Sequence, residues 1–153
     1  MRIFLAGIMQ GSHLSAAMHN QDYRTRLKRL LANHWPEAEV YDPLADHTNS
    51  LDYSPNRARE VFLKHNAMCR EVDVLFAFVP EASMGTAIEM WEAAHNGRIV
   101  VTISPLALNW AIRFCSDLVY AEFTALELDL ASGSLRRRIQ ELQARKQSTE
   151  SNA

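Results

Sequence analysis

Residues 72–101 read VDVLFAFVPEASMGTAIEMWEAAHNGRIVV, and this stretch decides the fold. Residues 73–79 are apolar after the leading Asp73, which predicts a buried strand. Residues 86–96 have a helical pattern that stops at Gly97, a residue common just after helix ends. Residues 98–104 are apolar again and predict the next strand. A strand, a helix and a strand in this order predict two parallel strands joined by a right-handed crossover.

The same alternation of apolar runs and amphipathic stretches extends over the rest of the chain. Further strands are predicted at residues 2–7, 39–43 and 117–121, and helices at residues 22–34, 55–71, 105–115, 122–130 and 134–146. This order predicts an α/β fold of the flavodoxin-like (Rossmann-like) type. We expect a five-stranded parallel sheet of order 2-1-3-4-5 with helices on both faces. We also expect one domain over residues 1–147 and a flexible tail at residues 148–153.

Composition indicates an ordinary soluble protein. Of the 153 residues, 48% are hydrophobic and 22% are charged, and the formal net charge is −2. That charge lacks the basic excess typical of nucleic-acid binding, so we expect no nucleic-acid partner. No segment approaches the ~18 apolar residues of a membrane span, and no signal peptide is evident, so we expect a cytoplasmic protein without a membrane partner. The two cysteines and six histidines lack metal-ligand spacing, so neither a metal nor a cofactor is expected.

The predicted sheet locates a ligand site. In such sheets, ligands bind beyond the carboxyl ends of the strands where the strand order reverses, here between the first and third strands. After the third strand, a helix N-terminus with unpaired N–H groups suits a phosphate or a sugar. The candidate residues there are Ser83, Gly85 and Thr86. The loop after the first strand, AGIMQGSH, forms the opposite wall, and its candidates are Gly7, Gln10, Gly11 and Ser12.

Three acidic residues near this site have alternative interpretations. Glu89 lies one turn into the helix and either points into a cleft or merely stabilises the helix N-terminus, by ~0.3–1 kcal/mol. Asp42 ends the second strand, where it could bind a ribose or form a turn. Asp73 opens the third strand, at the end away from the ligand edge, which favours a turn residue or a partner of Arg70. The pattern alone leaves these alternatives open.

Four segments together resemble the nucleoside 2-deoxyribosyltransferase-like family, which includes the 2′-deoxynucleoside and pyrimidine nucleoside 5′-monophosphate N-glycosidases. They are RIFLAG at residues 2–7, VYDP at 40–43, the stretch 73–101 quoted above, and ISPLALNWAI at 103–112. The most specific part is S-x-G-T-x-x-E at residues 83–89. The resemblance covers roughly residues 1–120, in the order that the family uses.

The resemblance implies an enzyme that cleaves the N-glycosidic bond of a nucleoside or a nucleoside 5′-monophosphate. Glu89 would be the nucleophile that forms a glycosyl-enzyme intermediate, and Asp73 the acid that assists departure of the base. Ser83 would contact a 5′-phosphate, whereas the deoxyribosyltransferases have an acid there, so a hydrolase is favoured over a transferase. Asn109 would be lent by a neighbouring subunit, which implies a homodimer or a higher homo-oligomer.

One departure from the family concerns the phosphate. Hydrolases that bind a 5′-phosphate tend to have an arginine in the loop after the first strand, where this chain has Gln10, Ser12 and His13. Arg24 and Arg26 on the first helix are candidates to compensate, although solvated helix charges explain them better. A nucleoside substrate therefore stays open beside a nucleotide.

Two further functions stay open at this stage. A non-catalytic nucleotide-binding or sensing domain of the lonely-guy-like type would share the GTxxE sequence of residues 85–89. An interaction module would use the basic terminal helix LRRRIQELQARK, residues 135–146, as its contact surface.

Overall fold

The structure, a computed structural model, describes residues 1–10 and 18–150, with side chains as far as Ser148. Its centre is a sheet of five parallel strands in the order β2-β1-β3-β4-β5. The strands are β1 Arg2–Gly7, β2 Glu39–Tyr41, β3 Val74–Phe78, β4 Ile99–Ile103 and β5 Leu118–Tyr120. The predicted fold class and strand order are therefore confirmed.

Helices connect the strands, and most begin and end within a few residues of the predicted positions. They are α1 Asp22–His34, α2 Pro43–Asp46, α3 Pro55–Cys69, α4 Met84–His95, α5 Trp110–Cys115, α6 Phe123–Ala131 and α7 Ser134–Glu150, with a short 3-10 helix at Ser50–Asp52. The sequence pattern did not predict α2, which begins because the Asp42 carboxylate accepts the Leu44 N–H and Pro43 occupies the first turn. Residues 148–150, expected in the tail, continue α7.

Helices cover both faces of the sheet, because strand side chains alternate between two apolar cores. Ile3 and Phe76 face the core that contains the buried residues of α1, α6 and α7. Phe4 and Leu75 face the other core, which contains Cys69 of α3 together with buried residues of α4 and α5. A strand buried on both sides explains the continuous apolar runs in the sequence.

The basic terminal helix packs against the domain. Leu135 and Ile139 are buried in the first core. Three of its cations form ion pairs within the chain: Arg136 with Glu37 at 2.7 Å, Arg138 with Asp129 at 2.9 Å and Lys146 with Asp117 at 2.9 Å. These charges anchor α7, which disfavours the idea that it is a free contact surface for a partner. No helix in the described part of the chain is long and apolar enough to cross a bilayer.

Two glycines give a test of the helix α4 boundaries. Gly97 has a φ of 72°, so Gly97→Ala should lower the free energy of unfolding by ~1–2 kcal/mol, the cost of a left-handed conformation for a residue with a Cβ. Gly85 lies inside α4, and a Cβ there meets nothing within 4 Å. Gly85→Ala should therefore be neutral or stabilising by up to ~1 kcal/mol. Urea titrations of both variants measure the difference, and equal midpoints would contradict it.

Candidate functional site

A cavity of ≈ 570 Å³ lies at the carboxyl edge of the sheet. Its walls come from the loop after β1, the segment after β2, helix α3 and the start of α4. This is the predicted place, where β1 and β3 pair side by side and the strand order reverses. Six of the predicted site residues line the cavity: Gly7, Gln10, Ser83, Gly85, Thr86 and Glu89.

Glu89 is the acidic residue of this cavity lining, and it is only partly accessible to solvent. Burial raises the pKa of its carboxyl from the ordinary value of 4.5 to about 8, and the positive charge of Arg24 opposes this rise. Burial is also the main reason that the pKa of the Tyr23 hydroxyl is raised, with a further contribution from the charge of Glu89. At pH 7 the Glu89 carboxyl is therefore mostly protonated in this structure.

Gly7 lets Tyr23 pack beneath the cavity. A Cβ on Gly7 would lie 2.8 Å from two carbon atoms of the Tyr23 ring, closer than van der Waals contact allows. The Tyr23 hydroxyl donates to Ile8 O at 3.3 Å, and its ring lies 4.5 Å from that of Phe78. Gly7, which was predicted to contact a ligand, is therefore also needed for the packing of Tyr23.

Ser83 and Thr86 shape the side of the cavity formed by α4. Ser83 caps the helix: its Oγ lies 3.5 Å from the Thr86 N and 2.9 Å from the Thr86 Oγ1. Thr86 is buried, whereas Met84 and Gly85 are exposed at the helix start. The first turn thus presents a hydroxyl group and N–H groups to the cavity, as expected of a site for an oxygen-rich ligand.

Asp73 does not join Glu89, contrary to its expected catalytic role. It precedes β3 at the amino edge of the sheet, where its Oδ2 accepts the Arg2 N–H at 2.6 Å. It lines a different depression, beside Met1 and Trp35. The five residues of β3 separate it from the ligand edge by roughly 16 Å. An acid at the start of this strand cannot reach a sugar at its end, so that prediction is wrong.

Asp42, a candidate ribose ligand, is not among the described residues that line the cavity, and its carboxylate already has partners within the chain. It is buried, lies 3.0 Å from Arg24 Nη1 and 2.8 Å from Lys28 Nζ, and caps α2. The turn interpretation of Asp42 is therefore the correct one. Arg24, proposed to compensate for a missing phosphate ligand, is buried and used in the same contact.

The remaining candidates lie outside the cavity or outside the described residues. Arg26 pairs with Glu127 at 2.7 Å and lies over the Phe123 ring. Asn109 is exposed and caps α5, with its Oδ1 accepting the N–H of Ala111 at 2.9 Å. It lies in a shallow groove that Ser83 also lines, next to the cavity. Gly11, Ser12 and His13 fall in residues 11–17, which the structure does not describe.

Four polar residues of the cavity were not predicted from the sequence: His47, Ser50, Tyr53 and His65. Burial, together with the nearby charges of His47 and Lys64, lowers the pKa of His65 to about 4. A signal for His47 was present, because residues that follow β2 also lie at the carboxyl edge of a parallel sheet. His65 could have been found from its position one helical turn after Val61, which also lines the cavity.

Comparison with solved structures shows a shared fold. A 2-deoxyribosyltransferase from Bacillus psychrosaccharolyticus matches with a TM-score of 0.63 and 17% identity, over 83% of this chain and 90% of its own. A CMP N-glycosidase from Clostridium botulinum matches with a TM-score of 0.51 and 21% identity, over 86% and 98%. A conserved protein from Enterococcus faecalis V583 matches with a TM-score of 0.53 and 17% identity, over 92% and 97%.

No protein-family model and no curated protein matches the sequence. At 17–21% identity, the solved structures above show a shared fold.

The raised pKa of Glu89 predicts a pH-dependent cost to stability. The folded state holds this proton up to about pH 8 and the unfolded state only to about 4.5, so the free energy of unfolding should fall as the pH rises between these values. Glu89→Gln cannot ionise and should escape this loss. Its stability relative to the parent should increase from pH 5 to pH 8, by at most ~1.4 kcal/mol per pH unit.

Urea titrations at four pH values measure this difference. Glu92→Gln is the matched control, because Glu92 lies on the same helix but pairs with Arg70 at the surface, at 2.7 Å. Parallel pH profiles for the parent and Glu89→Gln would contradict a desolvated carboxyl at position 89.

Proposed function

We propose that this protein cleaves the N-glycosidic bond of a nucleoside or a nucleoside 5′-monophosphate, with Glu89 as the nucleophile. The observation that carries the proposal is the position of the Glu89 carboxyl in a cavity at the strand reversal, where such sheets bind nucleotides. The fold is shared with a 2-deoxyribosyltransferase and a CMP N-glycosidase, which supports this class of reaction.

The reaction has two balanced steps. In the first, the Glu89 carboxylate attacks C1′, the C1′–N bond breaks, and the base leaves with the bonding electron pair and takes up a proton. The positive charge that develops on the sugar is stabilised by the adjacent carboxylate, which then forms an ester with C1′. In the second step, water adds its hydroxyl to C1′, releases a proton and restores the carboxylate. The sum is a nucleoside plus water giving a base plus a sugar.

The cavity favours a hydrolase over a transferase. The side chain at the start of α4 is the hydroxyl of Ser83, whereas a deoxyribosyltransferase would be expected to have an acid there. A carboxylate at that position would disfavour a 5′-phosphate by charge repulsion, and a hydroxyl group with helix N–H groups would accept one. We therefore propose that both nucleosides and 5′-monophosphates enter, and that water is the acceptor.

A screen for release of free base tests this proposal. The protein is incubated with ribo- and 2′-deoxyribonucleosides and their 5′-monophosphates, with and without a second base as acceptor, and the products are separated by chromatography. We expect base release without an added acceptor. Glu89→Gln should lose at least ~10³-fold in rate, because the covalent step is removed, while Glu92→Gln should keep the parent rate.

The pH profile separates a nucleophile from a general acid. Only the ionised carboxyl can attack C1′, so kcat/KM should rise with pH and level off above about 8. A rate that falls through this pH would make Glu89 a proton donor instead. Saturable nucleotide binding without any base release would identify a sensing domain, and undiminished turnover by Glu89→Gln would end the assignment.

We further propose that the protein acts as a homodimer. An exposed apolar surface, here called the α4–α5 surface, is formed by Ile88, Trp91, Trp110 and Phe114. Trp91, Trp110 and Phe114 are 56%, 76% and 68% exposed. A patch of this kind is characteristic of an interaction site rather than of a monomer's solvated surface.

A second copy of this chain is the occupant that fits. An aromatic side chain can bury ~150–250 Å² in total, and about two thirds of that area is still exposed in these three on average. Burying it would supply roughly half of the ~800 Å² that each partner buries in a standard interface. Asn109 adjoins Trp110 at the edge of this surface, in the groove that continues to Ser83. A second copy bound to this surface would bring its own residues close to the opening of the cavity. This is what we expect if Asn109 of one subunit contributes to the site of the other.

Sedimentation of surface variants tests the dimer. Trp110→Glu should convert the dimer to a monomer, because it introduces a desolvated charge into the interface. Leu128→Glu is the matched control, since Leu128 is 67% exposed but lies on α6. Dissociation by both variants, or by neither, would contradict the α4–α5 surface.

Mixing two inactive variants tests the shared site. Asn109→Asp keeps the oxygen that caps α5 and removes the amide donor. If the partner supplies Asn109, a mixture with Glu89→Gln should regain activity, up to about a quarter of the parent, because half of the randomly formed dimers contain one intact site of two. If the mixture regains no activity, Asn109 does not contribute to the site of the partner subunit.

A further inference from the structure

Two histidines that have no part in the reaction above meet in the wall of the cavity. His47 follows α2 and is buried, and His65 lies on α3. Their ring centroids are 5.2 Å apart with an interplanar angle of 63°. Both rings line the cavity together with Glu89. We refer to them as the His47–His65 pair.

One nitrogen of each ring is held by a tyrosine. Tyr41 Oη lies 3.1 Å from His65 Nε2, and Tyr53 Oη lies 2.9 Å from His47 Nδ1. The other two nitrogens, His65 Nδ1 and His47 Nε2, have no hydrogen-bond partner among residues 1–10 and 18–148. A ligand in the cavity can therefore bond to one nitrogen of each ring without displacing a protein contact.

The contact with Tyr41 relates the two nitrogens of His65. Burial raises the pKa of Tyr41, and the charge of Asp46 raises it further, so the Tyr41 hydroxyl stays protonated and neutral. Its oxygen lies 3.1 Å from His65 Nε2 and can accept a hydrogen bond from that nitrogen. In that arrangement the His65 proton is on Nε2, and Nδ1 keeps its lone pair.

His65 is also kept uncharged. Burial lowers its pKa to about 4, and the charges of His47, Lys64 and Arg24 act in the same direction, against Asp46. At neutral pH its Nδ1 is therefore a hydrogen-bond acceptor in a partly apolar wall. Phe62 and Leu51 supply apolar surface in the same lining. An acceptor beside apolar side chains suits a flat heteroaromatic ring that has an N–H on its edge.

We propose that the His47–His65 pair binds the nucleobase of the substrate, with His65 Nδ1 accepting a hydrogen bond from an N–H group on the edge of the base. This inference rests on the proposed function, because it places the leaving base in the Glu89 cavity. The pair orients the base and does not transfer its proton. A base that lacks this N–H group should bind more weakly, because it would leave His65 Nδ1 without a hydrogen-bond donor.

Calorimetric titration with adenine, cytosine and uracil tests the inference without turnover. The full-length protein and its Glu89→Gln variant should both bind at least one of these bases. His65→Phe should weaken that binding by roughly tenfold or more, because the donor on the base loses its acceptor. His65→Asn keeps a polar atom near the position of Nδ1 and should bind within about threefold of the parent.

Two further variants separate recognition from folding. His65→Gln places its polar atoms near Nε2 and can restore only the contact with Tyr41, so it should bind the base as poorly as His65→Phe. His95→Asn is the control outside the cavity, because His95 stacks on Trp91 at 5.3 Å, and it should bind as the parent does. Rescue by His65→Gln rather than by His65→Asn would show a purely structural role for His65.

The outcomes for the two proposals are distinguishable. Base binding that depends on His65, without base release by the parent, would reject the proposed reaction and keep the base site. Base release by the parent with unchanged affinity in His65→Phe would reject the base site and keep the reaction. Failure of all three bases to bind at millimolar concentration would also overturn the inference.

Discussion

The buried guanidinium of Arg24 is the contact on which the carboxyl edge of the sheet depends. It donates to Leu5 O at 2.8 Å, to Gly7 O at 3.4 Å and to Asp42 Oδ1 at 3.0 Å. One side chain of α1 thus connects the end of β1 with the residue that begins α2. A buried charge of this kind is tolerated because it is paired and its donors are satisfied. The loop after β1 and the segment after β2, which both line the cavity, begin at the two positions that Arg24 connects.

Burial has opposite effects on the pKa values of two titratable groups that line the cavity, Glu89 and His65. It raises the pKa of Glu89 and lowers that of His65, so both groups favour their uncharged forms at neutral pH. Arg24 lies near enough to lower the pKa of Glu89, and its guanidinium is also paired with Asp42 at 3.0 Å. The cavity is therefore a weakly charged space with polar atoms at defined positions. A sugar that becomes cationic at its transition state would stabilise the ionised form of the Glu89 carboxyl.

The sequence predicted what depends on local pattern. Apolar runs identified the three inner strands, because β1, β3 and β4 are buried on both faces, and shorter apolar stretches identified the partly exposed edge strands β2 and β5. The helix between β3 and β4 was predicted to within two residues at each end. The position of Glu89 also followed, since a residue one turn into the helix after β3 must lie near the carboxyl edge. The side-chain partners did not follow. Asp42 was a plausible ribose ligand until Arg24 and Lys28, on a different helix, were found to occupy it.

The amino-acid sequence was enough to predict the class of fold, the order of the strands and the edge of the sheet at which the cavity lies. These depend on residue periodicity and on the handedness of crossovers, which neighbouring residues set. Tertiary structure alone decided which polar groups share the cavity. It separated Asp73 from Glu89 by the length of β3 and brought His47, which follows α2, together with His65 of α3. The physical reason is that the direction and pairing of a side chain depend on contacts with residues distant in the chain, which no local pattern records.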